Sequence, residues 1–127
     1  MEIFDAILKE IREVLVRINK EEMEAALALI KKPRRIFVDG EGRSGLMDKG
    51  FAMHLMRLGY TVYVVGETIT PALWQDDVFI GVSGSGGSAT VVNDAQKAKE
   101  IGCKTLIVTS KTDSVLAATA DGLPYSF

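Results

Sequence analysis

Residues 35–45, RIFVDGEGRSG, and residues 77–88, DVFIGVSGSGGS, are built on one plan. Each opens with a short apolar run that reads as a strand and turns through glycines. Each then passes into a stretch with helical spacing of its apolar residues. A turn of this kind leaves backbone N–H groups unpaired at a helix start, where the peptide dipoles favour an anion. Two such turns in one small domain point to a phosphorylated ligand at the carboxyl ends of parallel strands.

Outward from these segments, strands and helices alternate. TVYVV (61–65) and KTLIVTS (104–110) read as strands, Leu46 to Leu58 and Thr90 to Ile101 as helices, and Ser114 to Ala120 as a short helix. Strands that are apolar throughout imply burial on both faces, hence a parallel sheet between helical layers. The expected architecture is a doubly wound α/β sheet of four strands, with Leu123 to Phe127 as a candidate fifth at an edge. Ahead of it, Ile3, Ile7, Ile11, Val14 and Ile18 form a helical stripe. Asn19 and Glu22 then resemble a capping box for a second helix through Met23, Ala26, Leu27 and Ile30, which Pro33 ends. The expected division is a single domain, 1–127, with N-terminal helices over 1–32 and an α/β core over 34–127.

Composition narrows the function. At 127 residues with 47% hydrophobic content the chain has enough material for one real core. Its formal net charge is −2 and its Lys/Arg runs stop at pairs, which argues against a nucleic-acid binder. One Cys, Cys103, and one His, His54, leave no zinc or disulfide framework, and Cys103 reads as a small buried hydrophobe. No long apolar run or signal-peptide core is present, so the expectation is a cytoplasmic protein with no membrane contact.

The first loop also spells G-x-G-x-x-G through Gly40, Gly42 and Gly45, with Glu67 twenty-two positions later, as in a dinucleotide site. Arg43 and Ser44 fit that reading poorly, because they place a charged fork and a hydroxyl where a pyrophosphate needs bare backbone. The second loop is more specific. Ser83, Ser85 and Ser88 can converge hydroxyls on one tetrahedral anion, while Gly84, Gly86 and Gly87 permit the close backbone approach.

Together GEGRSG, FAMHLMRLGYTVYVVGETITP and GVSGSGGSATVV resemble the sugar isomerase (SIS) domain family, and within it the 6-phospho-3-hexuloisomerases. The resemblance covers essentially the whole chain. It implies a flavodoxin-like three-layer sheet, a dimer or tetramer, no cofactor and no metal. It also implies interconversion of D-arabino-hex-3-ulose 6-phosphate and fructose 6-phosphate. Carried over, it puts the substrate phosphate on Ser83, Ser85, Ser88 and Ser44, with Gly42, Arg43, Gly84 and Gly86 as supporting loop.

Moving a carbonyl along a sugar needs a base at carbon and an acid at oxygen, roles for which His54 and Glu67 are the candidates. Asp48 and Glu41 stand behind them, since carboxylates in a first helical turn often only complement the dipole. The family continues past the last strand into a helix with a glutamate, which this chain is expected to lack. Two rivals follow: a non-catalytic sugar-phosphate-binding or scaffold module, and an NAD-dependent oxidoreductase.

Overall fold

Four apolar strands pair in register into one parallel sheet: β1 (Arg35–Gly40), β2 (Thr61–Val64), β3 (Val78–Ser83) and β4 (Lys104–Thr109). Their order is β2-β1-β3-β4. The molecule is described here by a computed structural model that covers residues 2–16, 20, 21, 24, 28, 30, 34–111 and 113–120. Helix α1 (Glu2–Leu15) precedes the sheet, α2 (Gly42–Arg57) joins β1 to β2, and α3 (Ala89–Ile101) joins β3 to β4.

The strand order explains why the sheet is covered on two faces. From β1 the chain steps outward to β2, and from β3 it steps the opposite way to β4. Right-handed crossovers taken in opposite directions put their helices on opposite sides. Alternation along the strands then sorts the core. Ile36, Val38, Val78, Ile80 and Leu106 face Ala52 and Leu55 of α2, whereas Phe79 and Ile107 face Val91, Ala95 and Ala98 of α3. The connection from β2 to β3 returns on the α3 side, where Val65 and Leu73 join that second cluster. It is pinned at the amino end of the sheet. Arg35 donates to Asp77 through Nε at 3.0 Å and Nη2 at 2.6 Å, and Asp77 also accepts the Trp74 N–H at 2.7 Å.

Two elements differ from the sequence reading. Helix α2 starts at Gly42, four residues before Leu46. Low glycine propensity hides this turn, which tertiary packing on β1 and β2 enforces. The segment from Ser114 to Ala120 contains only a 3-10 turn, Ala117–Thr119, of which Ala117 and Thr119 are buried. Helix α1 is present, and its apolar stripe of Ile3, Phe4, Ile7, Leu8 and Ile11 is exposed. Positions 20, 21, 24 and 28 are helical and Ile30 is not; the other positions of the second N-terminal helix lie outside the described residues, as does the fifth strand at Leu123 to Phe127. No helix among the described residues is long and apolar enough to cross a membrane.

Candidate functional site

Pairing of β1 with β3 brings the two glycine-rich segments together. Gly40 is in register with Val82, so Glu41 and Ser83 leave the sheet side by side at its carboxyl edge. This is the switch point of the strand order, where a doubly wound sheet opens a crevice. Both helices that start here are uncapped. Neither Glu41 before α2 nor Ser88 before α3 makes a side-chain cap, and neither helix carries an acidic residue in its first turn. The first N–H groups of both helices are therefore left without a side-chain cap.

The second segment folds into a polar nest. Ser83, buried at the end of β3, lies 3.0 Å from Ser88 through their hydroxyls and accepts the Gly86 N–H at 3.1 Å. Gly87 N–H donates to Ser85 Oγ at 3.2 Å. Gly86 has φ +68°, and a Cβ there would stand 2.0 Å from Ser114 Oγ, so both backbone and space demand glycine. The nest is backed by the loop after β4. Ser110 Oγ donates to the Gly84 carbonyl, Leu116 N–H donates to the Gly86 carbonyl at 3.1 Å, and Ser114 fills the space beneath Gly86. Sequence reasoning missed Ser110 and Ser114, which lie more than twenty residues from the serines they support.

The first segment builds a different place, a cleft of about 340 Å³ walled by Gly40, Gly42, Gly45, Asp48 and Lys49. Val64, Val65, Gly66 and Glu67 from the end of β2 close it. Glu67 is exposed and its Oε1 lies 3.5 Å from Lys49 Nζ, across the mouth. Ser44 is half-buried in the first turn of α2, and Arg43 beside it is exposed. His54 is exposed farther along α2 and does not line the cleft. The structure thus unites Glu67 with Gly42 and Ser83 with Ser88, while Ser85 is exposed and bonds only Gly87 among the hydrogen bonds of this loop and His54 stands apart from the cleft.

Two buried carboxyls mark the end of β1. Asp39 and Asp48 are 5% and 2% exposed, and in each Oδ2 is buried without a hydrogen-bond partner. Burial raises Asp48 to about 7. Burial first, then proton sharing and repulsion with Asp94 and repulsion from Asp48, raises Asp39 to about 8. Asp39 has no prominence as a motif residue, and its place inside an apolar strand is the one clue to it. No cluster of three or more His, Cys, Asp or Glu side chains suited to a metal occurs among the described residues.

Comparison with known proteins bears on the family and the fold. The sequence model of the SIS domain matches residues 29–123. A protein of Archaeoglobus fulgidus is 49% identical over 117 residues, covering 92% of this chain and 64% of its own length. The 3-hexulose-6-phosphate isomerase of Mycobacterium gastri is 39% identical over 114 residues, covering 90% of this chain and 57% of its own. A crystal structure from Methanococcus jannaschii, for which a 3-hexulose-6-phosphate isomerase function was inferred, superposes with a TM-score of 0.76 at 37% identity. That match covers 85% of this chain and 59% of the other. The chain therefore spans roughly three fifths of the length of these relatives.

Proposed function

The chain belongs to the SIS domain family, and from that premise we propose that it binds a phosphorylated sugar and interconverts D-arabino-hex-3-ulose 6-phosphate and fructose 6-phosphate. One observation carries the reading: two uncapped helix N-termini open beside a serine nest at the adjacent ends of β1 and β3. A phosphate dianion satisfies the free N–H groups of both helices and accepts from hydroxyls at once. Ser83, Ser85 and Ser88 take the phosphate, Ser44 adds a hydroxyl from α2, and the sugar chain extends into the cleft toward Lys49 and Glu67.

Gripping the phosphate fixes the reacting carbons against the cleft wall, so binding energy from a remote group is used for orientation. The reaction moves protons and no net electrons, and this reading requires no cofactor. His54, exposed and away from the cleft, would reach only a ligand shared with a neighbouring chain. The exposed stripe of α1, with Met47 and Phe51 of α2, supplies apolar surface for a dimer or tetramer. Light scattering at micromolar concentration checks the assembly, and a monomer would contradict it.

The deciding assay is conversion of hexulose 6-phosphate to fructose 6-phosphate. Turnover above a Ser83→Ala control is expected. Stabilisation by fructose 6-phosphate without turnover would instead identify a binding module.

A further inference from the structure

Asp48 is almost wholly buried, yet nothing among the described residues partners its Oδ2. That oxygen occupies the place a side chain at position 40 would need, since a Cβ on Gly40 would stand 2.3 Å from it. Asp48 lines the cleft together with Gly45, Lys49, Gly66 and Glu67, with its Oδ2 packed against the last residue of β1.

Its other flank is apolar. A groove of Ile80, Val82, Leu106 and Val108 meets Asp48 there and offers it no hydrogen bond. The titratable groups that face it are few: Asp39 from β1, with Asp94 of α3 behind, and the Lys49–Glu67 pair at the mouth. A buried carboxyl with an unmet oxygen costs stability, and a role in proton chemistry is one of the few things that accounts for keeping it.

We propose that Asp48 is the proton-transfer residue of the cleft, taking a proton from carbon 2 of bound hexulose 6-phosphate and returning it to carbon 3. The step rests on the isomerase reading above. The Asp48 carboxylate removes the proton, the C2–H bond pair becomes a C2=C3 double bond, and the carbonyl pair moves onto O3. O3 then takes the proton that O2 gives up, which forms the carbonyl at C2. The double-bond pair collects the proton from Asp48 at C3. Every proton and electron pair is accounted for within sugar and carboxyl, with no oxidant or reductant. Burial that lifts Asp48 to about 7 lets carboxylate and acid interchange near neutral pH.

The test compares the parent chain with Asp48→Asn, using fructose 6-phosphate and solvent D₂O. The parent is expected to exchange carbon-bound hydrogen of the sugar with solvent. Its rate should rise with pH through a limb near 7, because the carboxylate is the active form. Asp48→Asn should keep the thermal stabilisation by fructose 6-phosphate, lose turnover and exchange by about 100-fold or more, and lose that limb. Asp48→Ser, with a smaller side chain, serves if the Asn variant does not fold, and the same losses are expected.

An Asn variant within about threefold of the parent, with the limb intact, overturns the assignment and leaves the isomerase reading standing. A parent that binds fructose 6-phosphate but neither turns over nor exchanges hydrogen overturns both. A parent that does not bind it at all overturns the phosphate grip and the step built on it.

Discussion

The ends of β1 and β3 lie side by side, and each combines glycines with polar residues, yet they solve opposite problems. At the end of β3 the polar atoms partner one another: Ser83 with Ser88, Gly86 N–H with Ser83, and the loop after β4 beneath them. At the end of β1 one carboxylate oxygen of Asp39 and one of Asp48, each Oδ2, are buried without a hydrogen-bond partner. Neutral hydroxyls and N–H groups suit the first place because an anion arriving there completes a network at little cost in reorganisation. Unmet carboxyls suit the second because their pKa values are lifted toward neutrality, where a proton can be held or released. On the proposed reading, neighbouring strand ends divide grip from chemistry.

The largest effect should come from filling the nest. Gly86→Ala forces a Cβ onto Ser114 Oγ at a positive φ, and is expected to cost about 2–4 kcal/mol and abolish sugar-phosphate binding. Thermal unfolding with and without fructose 6-phosphate checks this. Gly87→Ala, where only Ser85 Oγ at 3.9 Å would be met, should be far milder. Equal losses in the two variants would break the account of the nest as a fitted cradle.

Next in size is Ser83→Ala, which removes one hydroxyl and the acceptor for the Gly86 N–H. Affinity for fructose 6-phosphate should fall about 10- to 100-fold by calorimetry. Unchanged affinity would move the grip away from β3.

The carboxyl end should respond to pH instead. Folded-state pKa values of about 7 for Asp48 and about 8 for Asp39 lie above the usual carboxylate value. Their stabilising contribution is therefore full at pH below about 4 and is lost as pH rises through 7 and 8. Melting temperature should drop by several degrees between about pH 5 and pH 9, and Asp39→Asn with Asp48→Asn should flatten that fall. A flat profile in the parent would show that both carboxyls find partners in solution.

The smallest effect belongs to the rim. Lys49 and Glu67 are each more than half exposed, so Lys49→Ala should shift stability by about 0.5 kcal/mol or less. A larger shift would mean that the cleft is drier than its walls suggest.

Much of this was legible in the chain. The apolar runs at 35–39 and 77–82 read correctly as parallel strands, because burial on both faces erases alternation. Ser83 and Ser88 lie within hydrogen-bond distance of each other, because the glycines between them let the backbone turn sharply. The first turn of α2 was hidden, since glycine is a poor helix former and Gly42 and Gly45 sit inside it. Asp48 read as a carboxylate complementing the dipole. Only its packing in the fold shows that it is buried and that its Oδ2 has no hydrogen-bond partner.

What the sequence determined by itself was whatever nearby residues encode: strand and helix periods, the two turns, and the chemistry of the second one. Tertiary structure alone decided which strand ends meet and which serines stand beneath the nest. It also decided that Asp39 and Asp48 lose their water. The reason is range. Periodicity and turn chemistry act over a few bonds, whereas desolvation and support arise between residues that only the folded sheet brings together.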